Sequence, residues 1–446
     1  MSATAALWAA LFGVQAVRSV TRPAWAVGLY MLTFFAAPHL WWWGEDIPEV
    51  RYALIAGIVL AGAVFLNQGR DRVPSFTFVH TAMLLMAVNA VFVHFAFAVG
   101  PRYSLGDLTE LLKFALLFML LVSAIKSKDD MRLVLLAIAL GAGYIGYEVT
   151  INERGYFSGG RLEGVGAPGA DSANSLACLL LLTLPLTGSL LVAREWWYKA
   201  AVALTAPLDL NVVILCNSRG TFLALIGSGL SFLLLSRGQT RKNALKALLL
   251  GSVVLYLLLG DPEILQRFTT TFSGSEDRDN SAASRLEFWK AGWAMLQDYP
   301  LGAGGGAFKY VIGERYLREV VGYEDARSLH NGYLTVATNW GIQGLVLHLA
   351  VMFGALTLAY RTSEACRRAG QAQDSMVGIC VMVSGISLLI ASVFGSFLVN
   401  EWGYWALALM VRYSQVYAPV PHPLPLQQPS ESPLPSVCNP VPANPQ

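Results

Sequence analysis

His330 and three arginines, Arg161, Arg219 and Arg285, are the residues of this 446-residue chain whose types and positions suit chemistry. Histidine titrates near neutral pH and serves as a general base. Arginine keeps its charge, and its planar fork matches phosphate oxygens, so three such residues on one face could hold a pyrophosphate. Each residue also has a plainer reading. Arg161 follows the turn pair Gly159-Gly160 and is an ordinary loop charge if nothing binds there. Arg219 sits in Asn217-Ser218-Arg219-Gly220-Thr221, where Ser218 caps the next helix and Arg219 either snorkels to a boundary or meets an anion. Arg285 is either a solvated side chain or an ion-pair partner of Glu287 or Asp279. His330 opens a helix beside Asn331, so it is either that helix's N-terminal cap or a ring kept neutral and base-competent by the helix dipole. His39, His80, His94 and His348 lie in or near apolar runs, where packing accounts for them, and His422 lies near the C-terminus. Glu276, Asp277 and Asp279 read as solvated loop charges, so no metal site is expected, and no P-loop, HExxH or GxSxG pattern occurs.

The elements that must position these residues are apolar. The composition is 55% hydrophobic and 13% charged, far from that of a soluble domain. It predicts an all-α polytopic integral membrane protein. Runs near 23–43, 52–67, 76–98, 108–125, 130–150, 173–193, 197–216, 219–236, 243–260, 331–360, 375–398 and 402–417 give about 12 transmembrane helices, each near the 20-residue length a bilayer needs. Thr4 to Val17 is short and reads as an interfacial or re-entrant helix. Trp41, Trp42 and Trp43 read as an aromatic anchor. Five scattered cysteines form no framework, and a net charge of +2 does not suggest nucleic acid. Basic residues follow the first apolar run, which argues against a cleaved leader.

Charge sets the orientation. Alternate connections carry Arg18 and Arg22, Arg70 and Arg72, Lys126 and Lys128, Arg237 and Arg241, and Arg367 and Arg368, which predicts that these are cytoplasmic. Arg161, Arg219, Arg285 and His330 then share the opposite, outer face. The chain divides into residues 1–260 with about nine spans, a polar outer loop at 261–330, three further spans in 331–417 and a Pro-rich cytoplasmic tail at 418–446. Within the loop, Leu286, Trp289, Trp293 and Leu296 have helical spacing and predict an amphipathic helix from Ser281 to Gln297, with a second helix from Phe308 to Val321. The glycines at 302, 304, 305 and 306 lie between them.

Four segments together carry a family resemblance. They are Asn217-Ser218-Arg219-Gly220-Thr221, Ser284-Arg285-Leu286 with Trp289, Tyr299-Pro300-Leu301-Gly302-Ala303-Gly304, and His330-Asn331-Gly332-Tyr333-Leu334 followed by Trp340-Gly341. Over residues 155–345 the chain resembles the bacterial O-antigen ligase and polymerase superfamily. The resemblance implies a membrane glycosyltransferase of the inner membrane that moves a glycan from undecaprenyl pyrophosphate to an acceptor in the periplasm. For the ligase branch the acceptor is the lipid A core; the polymerase and protein oligosaccharyltransferase branches share the signature. It further implies His330 as the catalytic residue and Arg219, Arg285 and, less closely, Arg161 as pyrophosphate ligands, with no cofactor. A lipid-linked glycan transporter is the reading from another class; it requires ionisable residues at membrane depth, where Glu148 and Asp209 fall.

Overall fold

The computed structural model describes residues 1–68, 76–170, 172–242, 244–246, 249, 276–321 and 328–419, with the side chains at 276–284, 320 and 321 outside that description. It is helical throughout except for one two-stranded ribbon. The amino-terminal half carries α1 (Ala3–Ser19), α2 (Ala24–Phe35), α3 (Tyr52–Leu66), α4 (Phe78–Phe97), α5 (Pro101–Ala124) and α6 (Lys128–Thr150). The ribbon, β1 (Tyr156–Ser158) and β2 (Arg161–Glu163), precedes α7 (Ala173–Gly188), α8 (Trp196–Leu215) and α9 (Arg219–Leu235). Then come α10 (Glu276–Asp298), α11 (Gly313–Val321), α12 (Gly332–Arg368), α13 (Ala372–Ala391) and α14 (Glu401–Val416).

Among the described residues six helical segments are long and apolar enough to cross a membrane: Phe78–Phe97, Lys128–Thr150, Ala173–Val192, Trp196–Leu215, Gly332–Arg368 and Ala372–Ala391. Three shorter apolar segments, Ala24–Leu40, Tyr52–Leu66 and Arg219–Leu235, stand beside them. This is a multi-pass membrane protein. Several expected spans look different in three dimensions. The run at 23–43 contains a 12-residue helix, about 18 Å long at 1.5 Å per residue, and two 3₁₀ turns follow it at Pro38–Leu40 and Trp42–Asp46. The run at 108–125 belongs to a longer helix whose first half carries Arg102, Asp107, Glu110 and Lys113. The expected span at 243–260, Arg70 and Arg72, the loop before Glu276 and the tail from 420 lie outside the described residues.

The tryptophan triplet divides. Trp42 is exposed, whereas Trp41 and Trp43 are buried. Trp43 donates to the Tyr144 hydroxyl at 2.7 Å and Trp41 lies under the Arg154 guanidinium. Two of the three are therefore core residues with satisfied ring nitrogens or cation contacts, not an anchor. Trp8 of α1 packs on Trp43 and edge-on to Tyr52, which ties that short helix to the bundle.

The segment around α10 has its own small core. Phe288, Ala291 and Met295 of α10 are buried with Phe308, Tyr316 and Leu329. Leu286 and Trp293 of the expected apolar stripe stay exposed. The face turned to protein carries Phe288, Met295 and Leu296 with the small residues Ala291 and Gly292, which let the helix approach closely. The second loop helix begins as a π-helical turn, Phe308–Ile312, before continuing as α11.

Candidate functional site

Arg161 is placed by the ribbon. Ser158 pairs with Arg161 across the two-residue turn Gly159-Gly160, whose φ values of +54° and +73° are those of a hairpin turn favouring glycine. Two bonds dock the ribbon on the start of α7: Arg161 donates from Nη2 to Asn174 Oδ1, and Ala173 N–H donates to Glu163 Oε2 at 3.0 Å. Arg161 Nε is buried and has no hydrogen-bond partner among the described residues.

Arg219 is the first residue of α9. Ser218 caps that helix, accepting from Thr221 N–H at 3.4 Å and from the Thr221 hydroxyl at 2.9 Å. Asn217 has φ +44° and donates from Nδ2 to the Gly160 carbonyl at 3.3 Å. That bond joins the turn carrying Arg219 to the turn carrying Arg161, 57 residues apart in sequence.

Arg285 comes from α10. Burial pushes its guanidinium below the ordinary arginine range, and the positive charges of Arg161 and Arg219 push it the same way. Arg285 thus lies within electrostatic reach of both Arg161 and Arg219. Among the described residues none of them forms an ion pair. Three half-buried cations with no ion-pair partner among the described residues make a candidate site for an anion.

His330 does not cap α12. Asn331 does, accepting at Oδ1 from Tyr333 and Leu334 N–H, both at 3.0 Å. His330 is one residue further out at φ +49°, a left-handed conformation that a non-glycine residue adopts at a cost and that collects at functional sites. Its ring meets Phe288 of α10 with centroids 6.4 Å apart. Phe288 lies three residues after Arg285 on that helix, so one face of α10 turns toward both the histidine and the arginine cluster.

A cavity of about 400 Å³ opens beside His330. Ser172, Asn174 and Ser175 at the start of α7, Lys309 of the π turn, and Asp107 and Asn339 line it with the histidine. None of the three arginines is in its wall; Arg161 reaches it through Asn174. A smaller cavity of about 100 Å³ continues inward, shares Asp107, Asn339 and Asn400, and adds Glu110 and His348.

Asp107, Lys309 and Asn339 are absent from the residues singled out by sequence. Asp107 lies just before the apolar run at 108–125, on the first half of α5. Asn339 donates from Nδ2 to Asp107 Oδ2 at 3.3 Å. Burial raises the Asp107 carboxyl to about 6, with Glu110 adding to the shift and the Gly306 N–H and Lys309 opposing it. An acid and a lysine on the face that the charge pattern predicts to be outer were the available signal.

The wall that brings these residues together is a backbone seam. α12 breaks at Gly341, with φ +82°. The carbonyls freed there accept from the glycine segment: Ala303 N–H donates to the Thr338 carbonyl at 2.9 Å and Gly304 N–H to the Asn339 carbonyl at 3.0 Å, while Ile342 N–H donates to the Pro300 carbonyl at 3.0 Å. A Cβ on Gly302 would come within 2.5 Å of Gly341 N, and one on Gly341 within 2.5 Å of the Leu301 carbonyl carbon. The two glycine motifs are therefore the two sides of one contact. Gly305 N–H also donates to Ser104 Oγ at 3.1 Å, fastening the seam to α5.

Among the described residues no group of three or more His, Cys, Asp or Glu side chains is placed to hold a metal ion. The side chains of Glu276, Asp277 and Asp279 lie outside the described residues, as does Asp171. Residues 202–349 match the family model described as O-Antigen ligase, a range that includes Arg219, Arg285, His330 and Gly341 and excludes Asp107 and Arg161. A search among curated proteins finds no match.

Proposed function

We propose that this chain, whose residues 202–349 match the O-antigen ligase family model, is an inverting membrane glycosyltransferase that moves a glycan from undecaprenyl pyrophosphate to an acceptor hydroxyl. The observation that carries this reading is the mutual approach of Arg161, Arg219 and Arg285 beside the cavity that His330 lines, with no acidic partner among the described residues. The acceptor of choice is the lipid A core, as in an O-antigen ligase, and the site faces the periplasm from the inner membrane. Polymerase and protein oligosaccharyltransferase activities use the same donor and differ only in what enters the acceptor end.

The reaction needs charge stabilisation on the leaving group and removal of one proton. His330 takes the proton of the acceptor hydroxyl as that oxygen bonds to the sugar C1 from the face opposite the pyrophosphate. The C1–oxygen bond to phosphate breaks, and the electron pair leaves with the pyrophosphate onto the three guanidiniums. Configuration at C1 inverts in one step. The arginines supply the positive charge, so the scheme calls for no divalent cation.

The test is incubation of the purified protein, in EDTA, with undecaprenyl-pyrophosphate-linked glycan and separately with lipid A core, a second lipid-linked repeat unit and a hydroxyl-bearing peptide, with products read by mass. Glycan on lipid A core is the expected outcome. No product with any acceptor contradicts the reading.

One observation favours a second reading, a lipid-linked glycan transporter. Asp209 is fully buried midway along α8, and both its carboxylate oxygens lack a hydrogen-bond partner among the described residues. Glu148, by contrast, is satisfied by Tyr144 at 2.8 Å and Asn152 at 3.1 Å. Movement of labelled donor across proteoliposomes, lost in Asp209→Asn, is the result that would favour transport.

A further inference from the structure

We infer that Asp107 is an acceptor-binding residue: its carboxylate receives hydrogen bonds from the hydroxyl groups of an uncharged saccharide whose reacting hydroxyl lies toward His330. The inference rests on the transferase reading and adds to it the chemistry of the acceptor end.

Four observations meet at this residue. Asp107 lines both cavities, so its side chain is presented to the space that His330 also borders. Its carboxylate is held in place by Asn339 from one side, and a Cβ on Gly305 would come within 2.3 Å of Asp107 Cβ, which shows how closely the glycine segment presses on it. Among the described residues Asp107 has no ion-pair partner. The group beside it on the same helix face is Glu110, a second acid.

A fixed, partly desolvated carboxylate with no ion-pair partner among the described residues takes further donors, and hydroxyl groups supply them as short charge-assisted bonds. A phosphate brought to the same place meets two carboxylates. Arg161 reaches the cavity only through Asn174, whereas the wall at Asp107 carries that acid together with Lys309, a charge-balanced end that suits an uncharged sugar.

The experiment compares wild type with Asp107→Asn, which keeps an oxygen for the Gly306 N–H and removes the charge. The first arm measures transfer kinetics with undecaprenyl-pyrophosphate-linked glycan and lipid A core. The second measures direct binding of dephosphorylated core oligosaccharide, released from lipid A, to the detergent-solubilised protein, and needs no turnover. The expected result is a rise of about tenfold in the acceptor KM and in the oligosaccharide Kd, the size of one lost hydrogen bond to a charged group, with kcat and donor affinity unchanged. Asn339→Ala, which removes the side chain holding the carboxylate, raises the same two quantities by less and serves if Asp107→Asn does not fold. Unchanged oligosaccharide binding in both variants overturns the inference, as does an equal fall of kcat, donor affinity and melting temperature, which marks a purely structural residue. A wild type that transfers nothing yet binds oligosaccharide through Asp107 counts against the transferase reading alone.

Discussion

Arg161, Arg219 and Arg285 come from three separate elements, a ribbon strand, a helix start and a loop helix; a turn-to-turn bond at Asn217 joins the first two, and Arg285 feels the charge of both. Asp107 comes from one helix and is fixed by a backbone seam built from two glycine motifs. The cationic side is assembled from side chains and is held against its own repulsion, which is lowered when an anion sits among the charges. The acidic side is set by backbone contacts between the glycine segment and α12. In the proposed scheme the donor organises its own site, while the acceptor enters one already formed.

The comparison breaks first at the residue between the two sides. His330→Ala should lower turnover by about 100- to 10,000-fold, the range for a general base, and single-turnover assays with saturating donor and acceptor will measure it. Turnover within threefold of wild type removes His330 from the chemistry. Next come the arginines. Arg219→Ala and Arg285→Ala should each raise the donor KM by about 10- to 100-fold, the worth of a hydrogen bond between charged groups. Lysine at either position should restore only part, because a point charge replaces a fork.

The seam gives a smaller, structural effect. Gly341→Ala forces a side chain onto φ +82° against the Leu301 backbone, a strain of about 1–3 kcal/mol. Its melting temperature in detergent should fall, and the acceptor KM should rise more than the donor KM. If both KM values rise equally, the two sides are not built separately. The mildest change is at the hairpin bond. Asn217→Gly keeps the left-handed turn and loses only the bond to Gly160, so the donor KM should rise about two- to tenfold, in line with a neutral hydrogen bond.

Much of the cationic side was legible in the sequence. Arg219 stands out because a basic residue at an outer boundary opposes the charge rule, and His330 because it ends a long polar segment beside a helix start. The amphipathic helix carrying Arg285 was legible in outline, but its buried face is rotated from the expected stripe: Leu296 is buried as expected, Leu286 and Trp293 are exposed, and Phe288, Ala291 and Met295 face the protein instead. The cap at Asn331 was misplaced by one residue onto His330, since both types occur at helix starts and only backbone geometry separates them. Asp107 was hidden for a different reason. It joins the site through contacts with residues 305, 306 and 339, roughly 200 positions away, and no local pattern records such a pairing. The glycine run and the Trp340-Gly341 pair were both visible, yet that they fit each other is a property of the folded chain. Trp41 and Trp43 looked like boundary residues because sequence shows their type and neighbours but not the Tyr144 and Arg154 groups that meet them inside.

The central claim is that the arginines hold the donor's pyrophosphate while His330 acts on the acceptor. Its most direct test is the binding of undecaprenyl pyrophosphate, carrying no sugar, to wild type, His330→Ala and Arg219→Ala in EDTA. The account predicts equal affinity for wild type and His330→Ala and at least about tenfold weaker binding for Arg219→Ala, as expected when a charged hydrogen bond is lost. Undiminished binding by Arg219→Ala, or binding lost in His330→Ala, would contradict it.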